Sequence, residues 1–302
     1  MLNMPSLSFG AAVAPGNRQS AIDLARKAED RGFAGLYCPS AGDCIAFCQS
    51  ALQATHSVRI GTAIQPIYFR VARSLADTAA FLHEVSGGRF QLGLGVSHQP
   101  VNDAYRVTAG KPIEDTRAYV SDMRAAVPFT GPLPRIVLAA LRDKMVDLAV
   151  EVADGVAFAH TNRAILAKKI ARIPEVRRKA GFSVSCTVSV VVETDETVAF
   201  EVLRRAMSLY AFLPHYRAYW RATGYHAEVD AIEAAIKSGE KDRIPALLSD
   251  RLLADICLFG SSSDIRDGVE AYLTMGVMPV LAPQSTSGDP LKALHEILDI
   301  YR

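Results

Sequence analysis

The amino-acid sequence predicts a (β/α)8 barrel, also called a TIM barrel, and three observations support this fold class. Short apolar segments rich in β-forming residues alternate with amphipathic helical segments, which is typical of parallel strands connected by helices. Eight such strand segments can be counted, the number that closes a barrel. Half of the 302 residues are hydrophobic, which suffices for one large buried core. We therefore expect a single barrel domain over residues 1–302.

The first half of the chain supplies four strands at regular intervals. Residues 17–31 are predicted to be a helix, because Ala21, Leu24 and Ala28 recur at helical spacing. Asp43 is the predicted N-cap of the next helix, since its carboxylate can accept hydrogen bonds from the first turn. The predicted strands are 7–13, 34–38, 58–64 and 90–95, and the predicted helices are 17–31, 43–55 and 72–84.

The second half continues the alternation as far as the seventh strand. Residues of about 195–255 are too many for one crossover helix, so we predict a helical insertion after strand seven. The other predicted strands are 135–140, 155–159, 182–192 and 277–282, and the predicted helices include 114–126, 143–152, 262–275 and 290–301.

The predicted insertion carries the only tryptophan of the chain, Trp220. Such aromatic density is typical of a lid over the barrel mouth, of a dimer contact, or of side chains that pack the insertion onto the barrel. The neighbouring aromatic residues are Tyr210, Phe212, His215, Tyr216 and Tyr219.

Charge and hydropathy exclude several classes of partner. Lys and Arg total 33 against 32 Asp and Glu, for a net charge of +1, so no basic surface is available for phosphates or anionic lipids. We expect neither nucleic acid nor membrane as a partner. The sequence contains neither a signal peptide nor a long apolar span, which predicts a cytoplasmic protein.

The five cysteines predict free thiols. Their number is odd and their density low, which favours a reducing compartment over a disulfide framework. Cys44 and Cys48 stand one helical turn apart, with Cys38 nearby. Because no second Cys/His pair at ligand spacing accompanies them, we predict no metal site.

The segment SGGRFQLGLGVSHQP, residues 86–100, is the most informative for function. Gly93 and Gly95 remove side chains from the fourth strand, which allows either close packing of barrel layers or the approach of a planar ring or phosphate. Ser97 and His98 follow this strand directly. Active sites of such barrels lie at the carboxyl ends of the strands, so both residues are candidates for the site.

This segment and the preceding IGTAIQPIYFRVARSLADTAAFLHEV resemble the central region of the luciferase-like monooxygenase superfamily. The resemblance is strongest to its deazaflavin-dependent branch, which uses coenzyme F-420. Two later stretches, LAALRDKMVDLAVEVADGVAF at 138–158 and FGSSSDIRDGVEAYLTMGVMPVLAP at 259–283, resemble the fifth-to-sixth and the closing units of the same family. The likeness covers almost the whole chain.

The resemblance implies positions for the cofactor. Ala63 and Ile64 match a site where relatives have a non-prolyl cis peptide behind the ring. Gly95, Val96, Ser97 and His98 match a segment that lines the edge of the flavin. The cofactor tail would be held by Ala139, Ala140, Leu141 and Arg142.

The chemistry of the helix after strand five agrees with that last position. Its first N–H groups and positive dipole end attract an anionic tail, and Arg142 adds further donors. Alternatively, Arg142 is a solvated residue at the start of the helix.

The sequence also departs from the family. Many deazaflavin relatives end strand two with an Asp-His pair, whereas this chain has Cys38-Pro39-Ser40. Some relatives place a glutamate at the position of His98. Because strand two offers only Cys38, Pro39 and Ser40, we predict His98 as the catalytic residue, which transfers a proton or polarises the substrate. In a weaker role, it hydrogen-bonds the cofactor or its own loop.

Substrate contacts are predicted from the residues that follow strands two and three. Tyr68 and Phe69 would form an apolar wall and Arg70 a clamp for a carboxylate or phosphate. Equally, all three fix the loop onto the next helix. The predicted substrate-binding residues are Cys38, Ser40, Tyr68, Phe69 and Arg70.

These features predict an oxidoreductase that transfers a hydride between reduced coenzyme F-420 and a small organic substrate, such as a carbonyl, an imine or an activated C=C bond. One alternative is an FMN-dependent luciferase-like monooxygenase, and another is a catalytically silent flavin-binding member. The family resemblance further implies a homodimer.

Overall fold

The computed structural model describes residues 4–40 and 42–302, and a ring of eight parallel strands forms its centre. The strands are β1 (Ser6–Ser8), β2 (Gly35–Cys38), β3 (Arg59–Thr62), β4 (Gln65–Pro66), β5 (Phe90–Gly95), β6 (Arg135–Ala139), β7 (Gly155–Ala159), β8 (Ser183–Val192), β9 (Leu258–Gly260) and β10 (Met278–Gln284). The ring follows the order β1-β2-β3-β5-β6-β7-β8-β10, and β10 pairs back with β1. The predicted barrel is confirmed.

Two short strands extend the ring at its carboxyl end. β4 pairs with the last residues of β5, and β9 pairs with the last residues of β8. The predicted third strand, 58–64, is therefore interrupted: β3 ends at Thr62 and β4 begins at Gln65.

Helices surround the ring, and each predicted helix is confirmed to within two residues at both ends. Asp43 caps its helix as predicted, because Oδ1 accepts hydrogen bonds from the backbone N–H groups of Ile45 and Ala46. The helices are α1 (Arg18–Asp30), α2 (Cys44–Ala54), α3 (Ala72–Val85), α4 (Gln99–Ala104), α5 (Pro112–Ala125), α6 (Val127–Thr130), α7 (Asp143–Val152), α8 (Arg163–Ala171), α9 (Glu175–Lys179), α10 (Glu196–Ala211), α11 (Pro214–Ala222), α12 (His226–Ser238), α13 (Ile244–Leu247), α14 (Asp250–Ile256), α15 (Ser262–Thr274) and α16 (Pro290–Ile300).

The first strand is shorter than predicted. β1 ends at Ser8, and residues Gly10–Val13 form a 3-10 helix instead of continuing the strand. The apolar character of this stretch reflects burial, because Val13 packs in the core between the barrel and its helices. Hydrophobicity alone therefore misplaced the end of the strand.

Alternating strand residues divide the molecule into two layers. One set packs against the helices and forms the main core, with members such as Leu7, Leu36, Ile60, Leu92, Leu138, Val156 and Val188. The other set faces the barrel interior, where Tyr37 fills the amino-terminal half. A Cβ atom at Gly35 or Gly61 would lie 2.9 Å from the Tyr37 ring, so these glycines make room for it.

Half-buried charged groups tie together the loops at the amino end of the barrel. The Glu29 carboxylate accepts hydrogen bonds from the backbone N–H groups of His56, Ser57 and Val58. Burial raises the pKa of Glu29, but these hydrogen bonds lower it more, to about 2.

Arg89, just before β5, also holds loops at the amino end of the barrel through hydrogen bonds to their backbone. Its guanidinium donates to the carbonyl oxygens of Leu52, Thr55, Val58 and Ser86, at distances of 2.8 to 3.1 Å. A further hydrogen bond reaches the Thr55 hydroxyl. One side chain thus holds the loops that precede two neighbouring strands, β3 and β5.

Five helices, α10–α14, occupy the stretch between β8 and β9 and are called the helical segment here. They form a second core, separate from that of the barrel, with members such as Leu203, Met207, Tyr216, Trp220, Tyr225, Ile232 and Leu252. Helices were predicted in this stretch; that they are an insertion relative to other barrels stays a prediction.

Within residues 4–40 and 42–302, no helix combines the length and the apolar character needed to cross a membrane.

Candidate functional site

The carboxyl ends of the strands surround a depression lined by small side chains. Leu138, Phe158 and Val188 face the helices, so the residues beside them face inward. Solvent reaches such an inward position only through the end of the barrel. Small inward residues near the carboxyl end are half-buried rather than fully buried, so solvent enters the barrel at this end. They include Ala139, Ala157, Ala159, Thr187 and Ala282.

The strand glycines pack against neighbouring strands. A Cβ atom at Gly93 would lie 2.2 Å from the Thr62 carbonyl oxygen, and one at Gly95 would lie 3.0 Å from the Ile64 side chain. The Thr62 hydroxyl also donates to the Gly93 carbonyl and accepts from its N–H. Close packing of the barrel, the first of the two interpretations, therefore accounts for both glycines.

The residues predicted to contact the flavin ring lie together at the carboxyl ends of β3 and β5. The Ala63–Ile64 peptide bond is cis, as predicted. The Ala63 N–H donates to the Cys38 carbonyl at 2.7 Å. Ala63, Ile64, Val96, Ser97 and His98 are all half-buried.

The residues predicted to hold the cofactor tail lie at the end of β6. Arg142 is the exposed N-cap residue of α7, and its side chain caps none of the described N–H groups. Asp143, in the first turn, is paired with Lys169 at 2.8 Å and with Arg172 at 3.7 Å. The local negative charge is thus neutralised, and the Arg142 guanidinium is exposed to solvent. Ala140 is buried, whereas Ala139 and Leu141 are half-buried.

The end of β2 contributes fewer substrate-contacting side chains to the depression than predicted. Cys38 is 0% exposed and belongs to the core between barrel and helices, so its thiol does not face the depression. Burial raises the pKa of Cys38 well above its usual range. Ser40 is exposed. The prediction that Cys38 contacts substrate is corrected, because residues alternate along β2 and Cys38 falls on the outer face.

Tyr68, Phe69 and Arg70 are all engaged with neighbouring elements. The Tyr68 hydroxyl donates to Asp115 at 2.7 Å, and the Phe69 ring stacks on Tyr105 with centroids 4.2 Å apart. Arg70 pairs with Asp43 at 3.0 Å. These contacts support the structural interpretation, in which the three residues fix the loop.

His98 lies between β5 and α4, beneath the helical segment. Its ring centroid is 5.9 Å from that of Tyr216. Its buried Nδ1 atom makes no hydrogen bond with any of the described residues. Burial, together with a smaller effect of the neighbouring His215, lowers the pKa of His98 to about 4. The imidazole is therefore neutral at physiological pH.

A second histidine, His160, lies at the mouth and was not singled out from the sequence. It follows β7 directly, is 1% exposed and has a left-handed backbone, with φ of 49°. Burial lowers its pKa to about 4. Its position right after a barrel strand is the signal that could have identified it.

The two histidines belong to one cluster of aromatic rings, which we call the ring cluster: His98, His160, Tyr210, Tyr216 and Trp220. His160 contacts Tyr210 edge-on at 4.4 Å, Tyr210 contacts Tyr216 at 4.8 Å, and Tyr216 lies 6.1 Å from Trp220. Helices α10 and α11 thus reach from the end of β7 to the loop after β5. The helical segment covers this side of the mouth.

No group of three or more metal-ligating side chains is placed to hold a metal ion anywhere in the described part of the chain. All five cysteines are buried free thiols.

Comparison with known proteins identifies a family. The family model described as luciferase-like monooxygenase matches residues 3–278. A Mycobacterium tuberculosis protein named as a coenzyme F-420-dependent oxidoreductase is 28% identical over an aligned length of 308. The alignment covers 86% of this chain and 89% of that protein.

Solved structures share the fold over their whole length. The coenzyme F-420-dependent tetrahydromethanopterin reductase of Methanopyrus kandleri matches with a TM-score of 0.76 and 17% identity, covering 98% of this chain and 97% of its own. The oxygenating constituent of 3,6-diketocamphane monooxygenase from Pseudomonas putida, in complex with FMN, matches with a TM-score of 0.66 and 16% identity, covering 99% and 97%. At these identities, the two structures establish the shared barrel fold alone.

Proposed function

This chain belongs to the luciferase-like monooxygenase family, and from that premise we propose that it transfers a hydride between reduced coenzyme F-420 and a small organic substrate. Membership of the family and the relative named as a coenzyme F-420-dependent oxidoreductase support an oxidoreductase. The observation that carries the proposal is the depression at the carboxyl ends of the strands, where the predicted ring-contacting residues are partly open to solvent.

The residues at the mouth fit a flat ring with an anionic tail. Small and apolar side chains at Ile64, Val96 and Ala139 offer contact to a ring face. The buried Nδ1 atom of His98 makes no hydrogen bond within the described chain, and a polar edge of a bound molecule would satisfy it. The exposed Arg142 guanidinium can pair with a phosphate or carboxylate of the tail.

Each group then has a defined task. The reduced deazaflavin, when bound, supplies the hydride. The residues around the mouth hold the ring and the substrate in one orientation, which converts the reaction into a step within a single complex. Helices α10 and α11 exclude water from the side of the mouth that they cover.

His98 is proposed to polarise the substrate by donating a hydrogen bond. Because its pKa is lowered to about 4, only a small fraction of the side chain carries a second proton at neutral pH. A neutral imidazole still donates from one nitrogen and accepts at the other. Between the two roles predicted from the sequence, polarisation therefore agrees better with the surroundings of His98 than proton transfer does.

FMN is the second candidate cofactor, and the FMN-bound structural neighbour favours retaining it. An FMN-dependent monooxygenase would take reduced FMN from a partner reductase and activate oxygen. The chain also lacks the Asp-His pair after strand two, which keeps the catalytically silent alternative open to test.

The test is to titrate the purified protein separately with coenzyme F-420 and with FMN, and to follow the quenching of ring fluorescence. We expect saturable quenching of F-420, with much weaker quenching of FMN. Tighter binding of FMN would replace the proposal with the monooxygenase. Binding without turnover of any carbonyl, imine or alkene acceptor would support the silent alternative.

The homodimer and the cytoplasmic location stay predictions. Light scattering coupled to gel filtration tests the first, since a dimer has twice the 32.6 kDa mass of one chain. Fractionation of cells that express the protein tests the second.

A further inference from the structure

The ring cluster contains more buried polar atoms than the protein itself satisfies. Within the described residues, neither ring nitrogen of His160 has a hydrogen-bond partner, and the same holds for His98 Nδ1 and Trp220 Nε1. Buried imidazole and indole nitrogens are rarely left without a partner, because each loses its hydrogen bonds to water. A bound molecule that carries a polar atom would supply what the cluster lacks.

The backbone of His160 is anchored to the barrel, and its ring packs edge-on against Tyr210. Its N–H donates to the Thr187 carbonyl of the neighbouring strand at 2.8 Å. Among the described non-glycine residues, three have a positive φ. Two of them lie just past barrel strands: His160 directly follows β7, and Ser97 is the second residue after β5. The backbone therefore fixes the point from which the imidazole leaves the barrel, and both of its enclosed nitrogens lack a hydrogen-bond partner among the described residues.

The cluster carries no net charge. Burial lowers the pKa of both histidines to about 4 and raises that of Tyr210 to about 12, so all three rings are neutral at pH 7. The ammonium of Lys169 approaches at Tyr219, 6.0 Å from the ring centroid. It is already paired with Asp143 at 2.8 Å.

We propose that His160 is a substrate-binding residue, and that with His98 it selects an uncharged substrate whose carbonyl or hydroxyl oxygen binds to the ring cluster. This inference rests on the proposed function, because it names the class of molecule that the oxidoreductase takes. Neutral N–H donors satisfy a carbonyl oxygen well. A carboxylate or an ammonium group would lose its water without gaining an opposite charge, which is strongly unfavourable.

Trp220 provides a native reporter for the test, because it is the only tryptophan and is 0% exposed within the cluster. Three probes of one ring size are titrated at pH 7.5: cyclohexanone, cyclohexanecarboxylate and cyclohexylamine. Trp220 fluorescence and the ¹⁵N resonances of the His160 ring are recorded, in the cofactor-free protein and with oxidised coenzyme F-420 bound. We expect cyclohexanone to change both signals and to bind at least about tenfold more tightly than the charged probes, the factor that about 1.4 kcal/mol produces.

Two variants separate binding from folding. His160→Phe keeps a ring against Tyr210 but removes both nitrogens, so the affinity for cyclohexanone should fall about tenfold. His160→Asn retains a polar group near the position of Nδ1 and should recover part of that loss. His295→Asn is the matched control, because His295 is exposed on α16, outside the ring cluster, and its change should have no effect.

The inference is overturned if cyclohexanone leaves the His160 resonances unchanged in both forms of the protein, or if cyclohexanecarboxylate binds as tightly as cyclohexanone. Full affinity in a folded His160→Phe variant overturns it as well. Binding of F-420 is measured on the same samples. A lack of F-420 binding would count against the proposed function. The order of affinities for the three probes tests the role of His160 independently of the cofactor.

Discussion

The two ends of the barrel differ in whether their polar groups find hydrogen-bond partners within the protein. At the amino end, Arg89 and Glu29 satisfy the backbone groups of several loops with their own hydrogen bonds. At the carboxyl end, His98, His160 and Trp220 bury ring nitrogens for which the described chain offers no partner. In barrels of this kind, the first end serves stability and the second serves binding. Substitutions at the two ends should therefore change different quantities.

Removing the Arg89 guanidinium should give the largest effect. Arg89→Met leaves the carbonyl oxygens of Leu52, Thr55 and Val58 without their donor, and we expect the free energy of unfolding to fall by about 3–5 kcal/mol. Denaturant unfolding measures it. Arg26→Met, at an exposed ion pair with Asp23, should change stability by less than about 1 kcal/mol. An equal loss in both variants would contradict the structural role of Arg89.

The two ends should also lose stability in different pH ranges. The folded-state pKa values of His98 and His160 are about 4, below the usual 6.5, so the unfolded chain binds more protons between these values. Their contribution is therefore complete above about pH 6.5 and is lost as the pH falls toward 4, by up to about 3 kcal/mol for each histidine.

Glu29 acts in a lower range. Its folded pKa of about 2 lies below the usual 4.5, so its contribution is present above pH 4.5 and is lost as the pH falls toward 2. Stability measured from pH 7 to pH 2 should therefore decline in two steps. His160→Phe should reduce the upper step by about half, because His98 still contributes to it. Glu29→Gln should reduce the lower step; the reverse assignment would refute the comparison.

At the carboxyl end, His98→Phe should lower turnover about 100-fold while the affinity for the cofactor changes little, because a hydrogen bond to the substrate is lost. His98→Gln can still donate such a bond and should recover at least a tenth of the wild-type turnover. Steady-state kinetics and cofactor titration measure the two quantities. Equal inactivity of both variants would instead assign proton transfer to His98.

A smaller effect is expected at Arg142, on the rim of the mouth. Arg142→Ala should weaken cofactor binding by about 1.5–3 kcal/mol at low salt, if the guanidinium pairs with the anionic tail. Lys144→Ala changes an exposed charge in the first turn of the same helix and serves as the control. Equal weakening in both variants would indicate general electrostatic attraction and place the tail elsewhere.

The sequence predicted the barrel well because local patterns determine it. Apolar segments at regular spacing gave the eight strands of the ring, and helical periodicity gave the helix bounds. The errors arose where burial is decided by distant parts of the chain. Residues 9–13 are apolar but leave the strand, and Cys38 is the last residue of the expected strand but faces the outer core.

The candidate site was predicted less completely, for the same reason. His98 was identified because it follows a glycine-rich strand and a family motif, whereas His160 lies in a segment with no motif. The partners of both histidines, Tyr210 and Tyr216, are more than 45 residues further along the chain. Only the folded chain shows that these four rings form one cluster.

The position of the helical segment has a consequence for protein engineering. The segment leaves the barrel after Val192 and returns at Leu258, and these ends are close because β8 and β9 pair with each other at Val190 and Leu258. Its core is also separate from that of the barrel. A helical segment from another barrel could therefore bridge the same gap without changing strand order. Substrate preference could then be exchanged as a module, while Arg89 and Glu29 continue to hold the scaffold.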